Sequence, residues 1–257
     1  MNLVFITCSG TNEFTDIREL VALMQEYSLG EIAVQVSEKQ SPAGGARIEW
    51  VHELAAYLND NKIAINAALH INRRWVEDLC RGIVAPELQD LMELQDHYDL
   101  PLFKRLQLNF KLDRDDVHED CDDELVELQH RIKRRFILSY NESNEHLIRR
   151  LYLKGLRFDV LFDSSFGAGI APDSRKAPAF PDILQGYAGG ITPDNVRAEL
   201  DKIAKAVENA PAIGDVYIDA QKGLEDEQTH LSLDKCRQYL ANATEWYHKH
   251  RWERLTL

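Results

Sequence analysis

Apolar residues recur along this chain in short runs that alternate with stretches of helical period. Runs at 3–7, 32–36, 62–69, 102–110, 136–140, 159–162, 183–187 and 216–218 are rich in Val, Ile, Leu and Phe and read as eight strands. Residues 15–27, 48–58, 73–81, 86–98, 122–133, 145–153, 193–208 and 233–250 carry their apolar positions at helical spacing. Such alternation predicts a parallel sheet with helices outside it. Eight βα units are the number that closes a (β/α)8 TIM barrel. An open doubly wound sheet is the alternative, and it commonly has fewer strands. The barrel reading makes 1–257 a single α/β domain with an enlarged connection between strands 4 and 5.

Composition narrows the classes of function. The chain has 257 residues, 44% hydrophobic and 28% charged, which is ample material for one barrel core. A net charge of −13 disfavours nucleic acid and anionic membrane surfaces as partners. No run of about 18 apolar residues is present, and the opening segment lacks a basic leader, so a cytoplasmic protein without a membrane partner is expected. Cys8, Cys80, Cys121 and Cys236 are scattered without CxxC spacing and read as free thiols in a reducing compartment.

In a barrel the reactive groups sit at the C-terminal strand ends. Here those ends are Cys8, the loop from Ser37 to Arg47, His70, Asn109, Asn141, Asp163, Gly189, and Asp219 to Gly223. The seventh end is the most informative. Gly189-Gly190 lets backbone approach a ligand closely, and Thr192-Pro193-Asp194 opens a helix with Thr192 as N-cap and Pro193 in the first helical position. A glycine pair ahead of a helix start suits a phosphate. An ordinary strand-to-helix turn is the alternative.

Four of these ends together resemble phosphoribosylanthranilate isomerase, a (β/α)8 enzyme family of tryptophan biosynthesis. Ile6-Thr7-Cys8-Ser9-Gly10-Thr11 with Asp16 is similar to the family's opening strand, Ile-Cys-Gly-Ile-Thr and an acidic residue. Val160-Leu161-Phe162-Asp163-Ser164 followed by Gly167-Ala168-Gly169 is similar to its sixth strand and glycine-rich loop. Gly189-Gly190-Ile191-Thr192-Pro193-Asp194-Asn195-Val196 resembles its Gly-Gly-Leu-x-Pro-Glu-Asn-Val, and Asp219-Ala220-Gln221-Lys222-Gly223-Leu224-Glu225 its Asp-x-Ser-Ser-Gly-Val-Glu.

The resemblance implies an Amadori rearrangement, in which an aminoaldose phosphate becomes an aminoketose phosphate without metal or organic cofactor. It implies Asp163 as the acid that protonates the ring oxygen and Cys8 as the base that removes the C2 proton, the two facing each other over the barrel mouth. Taken alone, Cys8 also reads as a small buried thiol and Asp163 as a turn former. Gly189, Gly190, Gln221, Lys222 and Gly223 would hold the phosphate of a small-molecule sugar phosphate. Gln221-Lys222 stands where the family has two small hydroxyl residues. Arg47 would stand in for an arginine of the family's second loop, although it also reads as a surface arginine. Gln107 and Asn109 resemble the family's Gln-Leu-His, with Asn109 in the histidine's place, which implies altered recognition of the substrate's other half. Changes in the second, fourth and eighth loops keep two alternatives open. One is a related barrel enzyme for a different phosphorylated or carboxylated molecule; the other is a non-catalytic metabolite-binding barrel. The acidic segment 113–124 reads as a solvated helix start rather than a metal site, in a connection that is a candidate lid or homodimer contact.

Overall fold

The computed structural model describes residues 1–109, 121–163, 169–208 and 214–255, with side chains as far as 251. Most of the acidic segment 113–124 and of the glycine-rich loop after Asp163 lies outside the described residues.

Eight strands form a closed parallel barrel in chain order: β1 (Asn2–Thr11), β2 (Gly30–Val36), β3 (Asn66–Ile71), β4 (Arg105–Leu108), β5 (Arg135–Tyr140), β6 (Phe158–Phe162), β7 (Gln185–Tyr187) and β8 (Asp215–Ala220). The helices are α1 (Ile17–Glu26), α2 (Ala46–Asp60), α3 (Arg74–Cys80), α4 (Pro86–Glu93), α5 (Asp122–Ile132), α6 (Glu145–Leu153), α7 (Val196–Glu208) and α8 (Leu233–Leu255). The architecture is the (β/α)8 barrel expected from the pattern. Among the described residues no helix is long and apolar enough to cross a membrane.

Local chemistry sets the boundaries. Asp16 caps α1 by accepting from the Glu19 N–H at 2.9 Å. Leu20, Val21, Leu23 and Met24 then form its buried stripe. The third strand starts later than the apolar run suggests, because 62–65 are used in leaving α2. Lys62 takes a positive φ of 55°, and Ile63 N–H reaches back to the Leu58 carbonyl at 2.9 Å, a Schellman-type exit. The helix expected over 86–98 stops at Glu93. Asp96 Oδ1 accepts from the N–H groups of Tyr98 and Leu100 and folds the remainder into a turn. One expectation is corrected: not every strand leads into a helix, since the described residues between β6 and β7 contain none.

The described residues fall into two compact units, 1–32 with 160–257 and 33–159. In the first, cross-strand register aligns Phe162 with Tyr187, Tyr187 with Ile218, and Ile218 with Ile6. In the second, Leu106 and Leu108 alternate with Arg105 and Gln107 along β4. All four are buried, and Arg105 shares Asp159 with Arg135.

Candidate active site

β1 alternates, and its two faces do different things. Thr7 and Ser9 share one face. Thr7 Oγ1 donates to Glu31 at 2.8 Å, and Ser9 Oγ donates to Asp219 Oδ1 at 2.5 Å. Cys8 lies on the other face, 0% exposed, with its thiol against Cys236 of α8. The hydrogen bond with Cys236, followed by burial and the nearby Asp219 and Glu31, pushes the Cys8 thiol well above its ordinary range. That placement does not suit the base implied by resemblance; it suits the small buried thiol. A protonated group without exposed surface has nothing to offer a substrate carbon.

The inward carboxyl at this end belongs to Asp219, one residue beyond Ile218 on β8. Asp163 follows Phe162 on β6 and is half-buried. Because Phe162, Tyr187 and Ile218 are in register, Asp163 and Asp219 stand level at the C-terminal ends of strands two apart. Adjacent strands are spaced by about 4.8 Å, so their backbones are roughly 10 Å apart.

The glycine loop after β7 is tied from one side. Arg175, in the segment between β6 and β7, donates through Nη1 to the Ala188 carbonyl and through Nη2 to the Gly189 carbonyl at 3.0 Å. Asn195 Nδ2 takes the Gly190 carbonyl at 2.8 Å. In a trans peptide the N–H points opposite to the carbonyl. The N–H groups of Gly189, Gly190 and Ile191 are therefore turned away from these donors, and nothing among the described residues accepts from them. Both glycines have positive φ, 82° and 66°.

Thr192 and Asn195 lock the following helix start reciprocally. Thr192 N–H donates to Asn195 Oδ1 at 2.8 Å, and Asn195 N–H to Thr192 Oγ1 at 3.3 Å. The Thr192 carbonyl accepts from Val196 N–H and closes a turn, but α7 itself starts at Val196, and Asn195 before it accepts from Glu199 N–H, so the helix begins later than the Thr192 N-cap and Pro193 first position expected. The close approach at Gly190 is to the chain itself. A Cβ there would meet the Ala171 backbone nitrogen at 2.0 Å. Gly223 likewise packs under the Ile191 carbonyl, where a Cβ would come within 2.4 Å. Lys222 is exposed and lays its side chain over Gly169, where a Cβ would meet Lys222 Cδ at 2.8 Å. Gln221 Nε2 donates to Glu225 at 3.3 Å.

Arg175 is held in turn by Glu199 of α7, with Nε and Nη2 at 2.8 and 2.6 Å from Oε2. Lys202 completes the network, with Nζ 2.8 Å from Glu199 Oε1. Sequence reasoning missed Arg175, since nothing local distinguishes an arginine in an irregular segment. Glu199 and Asp159 carried a usable signal, each being an acid among residues that otherwise read as buried.

In the second unit, Arg47 sits at the start of α2. It is buried, which removes the surface reading, and its Nη1 donates to the Gln35 carbonyl at 2.6 Å. Gln107 of β4 pairs in register with His70 of β3. Gln107 Nε2 donates to Asn109 Oδ1 at 2.7 Å. Burial, helped by the Arg105 charge, lowers the His70 pKa to about 3, so the imidazole is neutral.

No protein-family model and no curated protein sequence matches this chain; the isomerase resemblance rests on the motifs quoted above. Among solved structures, the chain is similar to 3-hexulose-6-phosphate synthase from Salmonella typhimurium. That match has a TM-score of 0.48 and 10% identity over 94% of this chain and 100% of the other. It is also similar to the YdjI aldolase from Escherichia coli K12, with a TM-score of 0.48 and 9% identity over 96% of this chain and 90% of the other.

Proposed function

We propose that this barrel is an acid–base enzyme for a small phosphorylated substrate, and that its reaction is an aldose-to-ketose rearrangement of the Amadori type. The observation that carries the reading is the loop after β7. Three successive carbonyls are engaged by Arg175 and Asn195, while the N–H groups of Gly189, Gly190 and Ile191 on the other side of the loop have no acceptor among the described residues. Successive backbone N–H groups in a glycine loop favour an anion such as a phosphoryl group.

Asp163 and Asp219 are the proton-transfer pair. Asp163 keeps the role implied by resemblance, protonating the ring oxygen. Asp219 replaces Cys8 as the base at C2, with Ser9 orienting its carboxyl. Two carboxyls at this spacing can flank adjacent carbons of one sugar. The rearrangement is redox-neutral within the substrate: the proton added to the ring oxygen and the one taken from C2 balance at the enol, whose hydroxyl proton is then lost as C1 gains one, so C2 is oxidised as C1 is reduced and no cofactor is required. The chain's −13 charge makes local backbone donors all the more necessary for holding an anion.

The test is turnover of an N-aryl aminoaldose phosphate, followed by loss of the aldose and gain of the ketose, together with rescue of a tryptophan auxotroph. Asp219→Asn and Asp163→Asn should each lower kcat by about 10²–10⁴, while Cys8→Ala retains activity near that of the parent. Loss of activity in Cys8→Ala with a normal Asp219→Asn would return the base to Cys8 and defeat the assignment.

A further inference from the structure

A chain of three side-chain amides at the C-terminal ends of β3 and β4 has only one possible direction. Asn72 Nδ2 faces two backbone carbonyls, His70 at 3.0 Å and Val36 at 3.4 Å. Only the nitrogen end of an amide can face carbonyls, so Asn72 presents Oδ1 to its other neighbour. Asn109 Nδ2 donates to that oxygen at 2.9 Å. Asn109 Oδ1 must then accept, and Gln107 Nε2 donates to it at 2.7 Å. What remains is Gln107 Oε1. Gln107 is 6% exposed, and this oxygen has no hydrogen-bond partner among the described residues. A buried acceptor in that condition is costly unless a donor reaches it.

The surroundings select the donor. His70 stands beside Gln107 on the neighbouring strand, two residues along from Ala68, which pairs with Arg105. Its ring is neutral, so it can donate from one nitrogen and accept at the other. Arg105 and Arg135 both reach Asp159, and the Arg105 guanidinium charge acts on the His70 ring. That charge disfavours a ligand ammonium, as it disfavours a protonated His70. A carboxylate has no proton to give Gln107 Oε1. Among uncharged donors, a hydroxyl can both donate to Gln107 Oε1 and exchange a hydrogen bond with the His70 ring, whereas an N–H only donates.

We propose that Gln107 Oε1 and the His70 ring form a hydroxyl-recognition subsite for a polyhydroxylated small molecule, oriented by the Asn109–Asn72 amide chain. Asn109, in the position where the resembled family has histidine, passes on the polarity fixed at Asn72 and so leaves Gln107 Oε1 as an acceptor. None of the residues of this subsite takes part in the reaction proposed above, so a failed isomerase assay leaves it standing.

The probes are erythritol, ribitol and glucitol, titrated into the full chain carrying ¹³C at the glutamine side-chain carbonyls. Binding of at least one polyol should move the Gln107 carbonyl signal, and Gln107→Leu should weaken that polyol roughly tenfold or more. Benzoate, as a carboxylate probe without a donor, should leave the signal in place. If Gln107→Leu fails to fold, the carbonyl signal of the parent decides. A signal unmoved when each polyol is at its highest soluble concentration means that the oxygen holds water only, and the proposal is overturned. So does a signal moved by benzoate instead, or a polyol affinity unchanged in a folded Gln107→Leu.

Discussion

Replacing Arg175 with methionine removes one partner of a buried ion pair and keeps most of the side-chain volume. Its side chain is 2% exposed and that of Glu199 4%, so the pair sits outside the range in which solvent weakens a salt bridge. The substitution strands the Glu199 carboxyl with only Lys202, whose side chain is 36% exposed. It also removes the donors at the Ala188 and Gly189 carbonyls. Breaking a buried pair from one side costs about 3–5 kcal/mol. Each orphaned carbonyl would add about 1–3 kcal/mol if fully desolvated. These contributions share atoms and do not sum, so the expected loss is about 4 kcal/mol. At this chain length that lowers Tm by roughly 8–16 °C. Urea unfolding of the parent, Arg175→Met, Glu199→Leu and the double variant measures it. The double variant should be more stable than Arg175→Met, because no charge is left buried without its partner. A loss below about 1 kcal/mol in Arg175→Met, or a double variant no better than the single, would refute the claim that this pair holds the glycine loop.

Two further outcomes follow from the same coordinates. Gly190→Ala should cost about 2 kcal/mol or more, from a left-handed φ of 66° and from a Cβ placed 2.0 Å from Ala171 N; it should also weaken inorganic phosphate binding. Calorimetry with phosphate reads both, and a variant matching the parent in each contradicts the packing. His70 makes acid destabilising. Its pKa falls from 6.5 to about 3 on folding, so the unfolded chain binds the extra proton first. Its contribution is complete above pH 6.5 and drains away as pH falls toward 3, by up to about 1.4 kcal/mol per pH unit. Urea midpoints between pH 7 and 4 should flatten in His70→Gln relative to the parent; parallel curves would show that His70 does not titrate in this way.

How far the sequence alone could reach depended on how locally each feature is encoded. Periodicity is local, so all eight strands were legible, and so was a turn opened by Thr192, whose partner Asn195 is three residues away. The late start of β3 was hidden because Lys62 adopts a left-handed exit that usually falls to glycine. Cys8 was misdirected by position. The end of β1 was read correctly, but which of Thr7, Cys8 and Ser9 faces inward is a matter of one residue of phase, and a slip of one exchanges the two faces. Arg175 was out of reach because its partners lie 13, 14 and 24 residues away in elements that only the fold brings together.

The pairing of β1 with β8 bears on how the molecule is born. Asn2 bonds Asp215 at 2.9 Å and accepts from the Tyr247 hydroxyl at 2.5 Å, 213 and 245 residues further on. During synthesis this opening strand cannot complete its pairing until β8 and α8 have been made, whereas residues 33–159 form a contiguous stretch that can compact earlier. A chaperone or a nascent-chain trap should therefore find this protein vulnerable at β1 until those elements emerge.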